Sequence, residues 1–176
     1  MSAQAKKSET DSTGVSNSLT IGRLVLRLEA AGILELEGIL GGEFTAAVDA
    51  IFALGDQGRL VVSGMGKSGH VARKIAATLA STGTPALFVH AGEASHGDLG
   101  MVTTRGAVLV LSNSGETPEV ADMVNYCHRF AIPLIAMVGK ADSALGSAAN
   151  ITLALPDITE AGPLGLAPTT STTMML

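Results

Sequence analysis

Five short apolar runs alternate with helical patterns in this sequence, and this alternation limits the fold more than any other feature. The runs show little of the strict apolar–polar alternation that is typical of a strand with one solvated face. Strands of this kind lie in parallel sheets whose two faces are covered by helices. The predicted strands are residues 60–62, 86–89, 107–111, 134–138 and 151–155. The sequence therefore predicts an α/β fold, a three-layer α/β/α arrangement doubly wound around a five-stranded parallel sheet.

Two helices are predicted before the first strand. The spacing i, i+3, i+4 and i+7 predicts a helix from Leu19 whose inward face is formed by Ile21, Leu24, Val25 and Leu28. A second helix should follow Gly42, with an apolar face formed by Phe44, Val48, Ile51 and Phe52. Residues 1–18 are polar and without periodicity, which predicts a disordered tail. We expect one domain over 19–176, with N-terminal helices over 19–55 and the doubly wound core over 59–176.

Composition excludes several classes of protein. The chain has 176 residues and a net charge of −5, which argues for about one domain and against nucleic acid as a partner. No apolar run approaches the roughly 18 residues that span a bilayer, and residues 1–17 lack the apolar core of a signal peptide. The one cysteine, Cys127, cannot form an internal disulfide, so a cytoplasmic location is expected.

The low content of charged residues points to self-association. Charged residues make up 15% of the chain, against about 25% in typical globular domains. A surface this poor in charge is expected to bury apolar faces in a homo-oligomer.

The first strand ends in a glycine-rich turn, residues 63–70, which contains a G-x-G-x-x-G pattern. A dinucleotide site would also need an acidic residue about 20 positions on, where the sequence has His90 and Ala91. A nucleotide-binding oxidoreductase is therefore disfavoured. The turn still suits an anion at a helix N-terminus, with Lys67 adding a positive charge. The alternative is a solvated lysine in a tight turn.

Hydroxyl side chains follow the third strand. Ser112, Ser114 and Thr117, together with the free amides of the next helical turn, would form a neutral cradle for a phosphate. Thr117 is predicted to cap a helix that has Pro118 at its first position. The alternative is a capped helix with polar turn residues and no ligand.

Two further segments lie at predicted strand ends. Residues 90–100 hold two histidines and two acids at a spacing that matches no strong metal signature, so recognition of sugar hydroxyls is favoured over metal ligation. Residues 159–173 form a Gly/Pro-containing stretch that ends in a hydroxyl-rich helix start. His70 and His128 lie on predicted helices and are expected to be structural or solvated. Cys127 is expected in the core.

Taken together, segments 64–69, 90–100, 112–116 and 163–173 resemble the sugar isomerase (SIS) domain, and within it the KpsF/GutQ branch of D-arabinose-5-phosphate isomerases. The resemblance covers residues 19–176 and departs from that branch at Ala91 and Gly162, where proline and cysteine are usual. It implies a homotetramer that converts D-ribulose 5-phosphate to D-arabinose 5-phosphate. That product feeds the synthesis of Kdo, a sugar of lipopolysaccharide and capsule.

The resemblance also implies roles for individual residues. Those matching catalytic positions are Lys67, Glu119 and Glu160. Those matching substrate-binding positions are Ser63, Gly64, Gly83, Thr84, His90, His96, Ser112, Ser114 and Thr117. No cofactor is expected to be required, and zinc is expected only as a bound or inhibitory ion at His90. Aldose–ketose isomerisation needs a carboxylate base and a cation or acid near the oxygens, and either glutamate could be the base.

Two expectations concern the protein beyond its catalytic residues. A non-catalytic sugar-phosphate-binding module is the alternative function, because this fold also serves in regulators. The resemblance further suggests a chain truncated before a Ser-His-Pro-Gly-Gly segment and a pair of CBS domains. Such a chain should bind sugar phosphates and isomerise them poorly.

Overall fold

The computed structural model describes residues 10–162 and 164–176. Two helices come first, α1 (Thr10–Ile39) and α2 (Gly42–Phe52). Strands and helices then alternate: β1 (Leu60–Gly64), α3 (Gly66–Ser81), β2 (Ala86–His90), α4 (Ala91–Ala94), β3 (Ala107–Ser112), α5 (Ala121–Phe130), β4 (Leu134–Val138), α6 (Ala144–Ala148), β5 (Ile151–Ala154) and α7 (Thr170–Met175). Short 3₁₀ turns occupy Asp98–Met101 and Pro118–Val120.

The five strands form one parallel sheet in the order β2-β1-β3-β4-β5. Every residue of β1 and β3 is buried. The predicted three-layer α/β fold is therefore confirmed. The strand order reverses between β1 and β3, and in open sheets of this kind ligands bind beyond the carboxyl ends of the strands at that reversal.

Alternate residues of each strand supply two separate apolar layers. One layer places Val61 and Val108 of the sheet with Met123 and Cys127 of α5. The other places Leu60 and Leu109 with residues of α2, α3 and α7. Burial raises the pKa of the Cys127 thiol to about 11, so this side chain stays neutral and belongs to the core, as predicted.

Helix α1 starts earlier than the sequence predicted. Residues 10–18 continue the helix and do not form a tail, while residues 1–9 lie outside the described part of the chain. Each residue added to an existing helix gains a hydrogen bond without a new nucleus, which extends the helix into residues of low helix propensity such as Ser, Thr, Asn and Asp. Similarly, α3 starts at Gly66, inside the segment that the sequence predicted as the glycine-rich turn 63–70.

The apolar faces predicted for α1 and α2 are only partly turned inward within the single chain, where Ile51 packs on the core. Leu24, Phe44 and Val48 are exposed, and Phe52 is 87% exposed. Helical spacing shows which residues share a face, but it does not show what covers that face. Here α3 and α7 cover much of the sheet on that side, and α1 contacts mainly α7.

In the described residues, no helix has both the length and the apolar character needed to cross a membrane.

Helix α5 ends in a left-handed turn at a residue that is not glycine. Ala131 has φ of 51° and ψ of 41°. The amide of Ile132 bonds the carbonyl of Cys127 at 2.9 Å, and the amide of Ala131 bonds the carbonyl of His128 at 3.3 Å. This is the Schellman pattern, in which glycine usually occupies the left-handed position because a Cβ is disfavoured there.

We predict that Ala131→Gly stabilises the protein by about 0.5–1 kcal/mol, because it removes the left-handed strain at an exposed position. Urea unfolding of the two proteins measures the change. Ala77→Gly, at an exposed position inside α3, is the matched control and should destabilise by about 1 kcal/mol. A loss of stability in Ala131→Gly would contradict the prediction.

Candidate active site

Two neighbouring cavities lie at the carboxyl edge of the sheet. The first, here the Lys67 cavity, has a volume of about 370 Å³ and is lined by Lys67, Ser112, Thr117 and residues of α7. The second, here the Glu160 cavity, has a volume of about 470 Å³ and is lined by Glu160, Lys140 and Ser143, among others. Asn113, Ser114 and Ser171 line both cavities, so the two form one crevice. Volumes of this size suit a small ligand.

The turn after β3 forms one wall of this crevice, and its hydroxyls are held by one another. The Ser112 and Thr117 hydroxyls lie 2.8 Å apart. Ser112 Oγ accepts the amide of Gly115 at 3.1 Å, and Ser114 Oγ accepts the amide of Glu116 at 3.2 Å. Thr117 occupies the N-cap position with Pro118 at the start of the 3₁₀ turn, as predicted, but its side chain makes no capping hydrogen bond. In the 3₁₀ turn, the amide of Val120 bonds the Thr117 carbonyl oxygen instead of its hydroxyl.

This turn is also fixed to α6. Gly115 has φ of 67°, and a Cβ at this position would collide with Ser143. The Gly115 carbonyl accepts the amide of Leu145 at 3.0 Å, and Glu116 Oε1 accepts the amide of Ala144 at 2.8 Å. Position 115 therefore requires a glycine, because of its positive φ and because a Cβ would collide with Ser143. The hydroxyl-bearing turn is therefore preorganised before any ligand arrives.

Lys67 lies in the first turn of α3, exposed at the rim of the Lys67 cavity. Its position depends on Gly64. A Cβ on Gly64 would lie 2.9 Å from the carbonyl oxygen of Leu111 and 3.1 Å from the amide of Gly69. Only glycine allows α3 to approach β1 and β3 so closely. The contribution of Gly64 to the site is thus one of packing.

The carboxylate of Glu160 is bound to the start of α7. Its Oε2 accepts the amide of Thr169 at 2.7 Å, the hydroxyl of Thr169 at 3.0 Å and the amide of Ser171 at 3.3 Å. Burial acts to raise the pKa of Glu160, but the hydrogen bonds from Ser171 and Thr169 outweigh it and lower the pKa below its ordinary value of 4.5. Glu160 is therefore ionised at neutral pH and faces the crevice.

Three of the predicted site residues lie elsewhere in the single chain. Glu119 is exposed on the Pro118–Val120 turn and lines neither cavity. His96 is exposed in the turn after α4 and also lines neither. Ser63 is fully buried at 0% exposure inside β1, so its side chain does not reach the crevice. Strand burial decides this last case, because both faces of the central strands are covered.

Gly83 and Thr84 lie at the opposite edge of the sheet. They precede β2, and the strands are parallel, so they sit at the amino edge while the crevice lies at the carboxyl edge. The amide of Thr84 bonds the carbonyl of Leu79 at 2.9 Å, and Gly83 has φ of 99°. Within one chain these residues end α3 away from this crevice, and their contact with a substrate stays a prediction.

His90 ends β2 beside the crevice. A Cβ on Gly92 would lie 3.3 Å from His90 Nδ1 and 3.9 Å from the sulfur of Met65, which lines the Lys67 cavity. Nδ1 is buried and has no hydrogen-bond partner within the described chain. Protein zinc sites use three or four ligands, and no group of three His, Cys, Asp or Glu residues gathers anywhere among the described residues. The residues around His90 therefore do not fit a zinc site.

Lys140 and Ser171 are among the crevice residues that were missed from the sequence. Lys140 follows β4, and the rule that ligands lie at strand carboxyl ends would have identified it. Ser171 lies within the hydroxyl-rich start of α7, and nothing in the sequence distinguishes it from its threonine neighbours.

The chain is similar to a family of known proteins over most of its length. Residues 53–176 match the SIS domain model. The chain belongs to the SIS domain family. The resemblance inferred from the four segments is thereby confirmed.

Individual members of the family are more similar to this chain than the family model alone indicates. Arabinose 5-phosphate isomerase KdsD of Yersinia pestis is 52% identical over 155 residues, which is 88% of this chain and 47% of that protein. An E. coli CFT073 protein solved in complex with A5P superposes with a TM-score of 0.85 at 36% identity, covering 90% of this chain and 84% of that one. The structure of a phosphosugar isomerase of Bacteroides fragilis, described as involved in capsule formation, gives the same TM-score and identity. That match covers 90% of this chain and 83% of the other. The chain thus spans about half the length of the curated relatives it matches.

The lowered pKa of Glu160 leads to a prediction about stability and pH. A carboxyl group whose pKa is lower in the folded state stabilises the protein above its unfolded pKa, and that contribution is lost as the pH falls through the folded pKa. We predict that wild type is more stable than Glu160→Gln at pH 7, and that the difference shrinks as the pH falls below 4.5. Urea unfolding at a series of pH values measures it.

The control is Glu119→Gln, whose carboxylate is exposed on a surface turn and should contribute little at any pH. A stability difference between wild type and Glu160→Gln that stays constant from pH 7 to pH 3 would refute the prediction.

Proposed function

We propose that this protein is a sugar-phosphate aldose–ketose isomerase that interconverts D-ribulose 5-phosphate and D-arabinose 5-phosphate. The observation that carries the proposal is the convergence, on one crevice, of a hydroxyl-bearing turn, a lysine and an ionised glutamate. The names of the relatives support the same substrate. The product would serve the synthesis of Kdo for lipopolysaccharide or capsule.

The phosphate is assigned to the turn Ser112–Thr117. Ser114 faces both cavities, and the turn is fixed by its own hydrogen bonds, so binding costs little ordering. Lys67 stands at the same cavity and adds a positive charge. Hydroxyl groups with a lysine nearby suit a phosphate monoester that must also be released. The carboxylate of Glu116 in the same turn is held by the amide of Ala144, and Lys140 lines the adjoining Glu160 cavity.

Glu160 is our candidate for the base. It would take the proton from C1 of the ketose, giving an enediol, and return it to C2, while the hydroxyl proton moves from O1 to O2. No electron acceptor is needed, because the oxidation of one carbon is the reduction of its neighbour. Lys67 would stabilise the negative charge that develops on the oxygens. We favour Glu160 over Glu119 because Glu160 faces the crevice within this chain.

A homotetramer is part of the proposal. The exposed apolar residues of α1 and α2, including Leu24, Phe44 and Phe52, support it, because monomeric domains rarely leave so much apolar surface uncovered. A cytoplasmic location and the absence of a required cofactor stay predictions. The net charge of −5 supports a partner other than nucleic acid.

A paired assay tests the function. The purified protein is titrated calorimetrically with D-arabinose 5-phosphate, and the formation of ketose from the same compound is followed in parallel. Binding with turnover supports the isomerase. Binding without turnover supports the non-catalytic sugar-phosphate-binding module, and no binding refutes both.

We predict that Lys67→Ala lowers turnover by about 10²- to 10³-fold, because the developing oxyanion loses its cation. Thermal unfolding should be unchanged, since Lys67 is exposed. Lys74→Ala, at an exposed position further along α3, is the matched control and should keep normal turnover. Normal turnover in purified Lys67→Ala would reject the role.

We predict that Ser114→Ala weakens binding of D-arabinose 5-phosphate by about five- to a hundredfold, because a hydrogen bond to a charged group contributes about 1–3 kcal/mol. Calorimetric titration measures the Kd. Ser147→Ala, exposed on α6 and outside both cavities, is the control. Equal affinity in Ser114→Ala and wild type would place the phosphate elsewhere.

A further inference from the structure

Three buried polar side-chain atoms have no hydrogen-bond partner within the described part of the chain: Ser63 Oγ, His90 Nδ1 and Ser171 Oγ. All three lie toward the carboxyl edge of the sheet. Only Ser171 lines the crevice, and it lines both of its cavities. A buried hydroxyl without a partner costs about 1–3 kcal/mol, so such a group in a binding crevice calls for an external partner.

Ser171 differs in this respect from every neighbouring hydroxyl. It belongs to a run of five, and the other four hydroxyls are bound within the chain. Thr169 Oγ1 bonds Glu160 and the amide of Ala161. The remaining three donate to backbone carbonyls, Thr170 to Thr159 at 3.3 Å, and Thr172 and Thr173 to Thr169 at 2.8 Å and 3.1 Å.

The position of Ser171 is fixed independently of its hydroxyl. Its backbone amide donates to Glu160 Oε2 at 3.3 Å, and the residue is only 4% exposed. Ser171 therefore lies where the Lys67 cavity and the Glu160 cavity meet. Its hydroxyl has no hydrogen bond of good geometry, but it lies near enough to the Glu160 carboxylate to help lower the pKa of that group. A ligand that has its phosphate on the Ser112–Thr117 turn and its reacting carbons near Glu160 must pass this point.

We propose that Ser171 is a substrate-binding residue whose hydroxyl hydrogen-bonds a hydroxyl of the sugar, not the phosphate. A serine hydroxyl both donates and accepts, as a sugar hydroxyl does, so the pair satisfies each other in either direction. Ser171 would thereby distinguish a sugar phosphate from phosphate alone. The inference rests on the proposed function, since it takes a sugar phosphate as the ligand of the crevice.

The test uses two probes on four proteins. D-Arabinose 5-phosphate is titrated into wild type, Ser171→Ala, Ser114→Ala and Thr173→Ala, and inorganic phosphate is measured as a competitor of that binding. We expect Ser171→Ala to weaken sugar-phosphate binding by about five- to tenfold, in line with one neutral hydrogen bond, and to leave the inhibition constant of phosphate unchanged. Ser114→Ala should weaken both ligands.

Thr173→Ala is the matched control. It removes a hydroxyl from the same helix that is bound to a backbone carbonyl and lines neither cavity, so it should leave both affinities unchanged. Thermal unfolding separates binding from structure. Ser171→Ala should leave the Tm almost unchanged, because the hydroxyl makes no hydrogen bond of good geometry within the chain and its loss removes only a weak interaction with the Glu160 carboxylate. A structural role would lower it.

The outcomes separate the two proposals. If wild type fails to bind D-arabinose 5-phosphate, the proposed function fails and this inference with it. If wild type binds and Ser171→Ala binds equally well, the inference alone is overturned. Parallel loss of both ligands in Ser171→Ala, or a lowered Tm, would also overturn it, because the residue would then act through the phosphate turn or through stability.

Discussion

Burial of both faces of the parallel sheet is the constraint on which the rest of this structure depends. Every residue of β1 and β3 is buried, so side chains inside these strands serve packing, whatever their chemistry. Ser63 illustrates this, since its hydroxyl lies buried inside β1. Polar groups that act on a ligand must lie at or beyond the strand ends, as Ser112 does at the last position of β3. Both cavities of the crevice are found there.

The walls of the crevice are held in place by close backbone contacts at two glycines, Gly64 and Gly115. Gly64 lets α3 approach β3, which brings Lys67 to the edge of the turn after β3. Gly115 lets that turn pack on Ser143 and bond α6. Backbone contacts thus position two walls of the crevice, the start of α3 with Lys67 and the turn after β3.

Glu160 fixes the third wall of the crevice, which is the start of α7. Its carboxylate holds Thr169 and Ser171 at the start of α7, so the group proposed to move a proton also fixes the helix that carries Ser171. Hydrogen bonds donated to the carboxylate lower its pKa and keep it ionised. The same bonds align Ser171 between the two cavities. Charge, helix position and ligand contact are coupled in this one residue.

The sequence by itself determined the sheet, the turns at its carboxyl edge and the family, because these follow from local patterns of apolar runs, glycines and hydroxyls. It identified Lys67, Ser112, Ser114 and Glu160, which the structure brings to the crevice. Only the tertiary structure decided that Gly83 and Thr84 lie at the far edge and that Glu119 faces solvent. It also decided that Ser171, in a run of similar residues, is the hydroxyl left without a partner. The physical reason is that hydrogen-bond satisfaction and the burial of a face depend on residues distant in sequence, which local spacing does not encode.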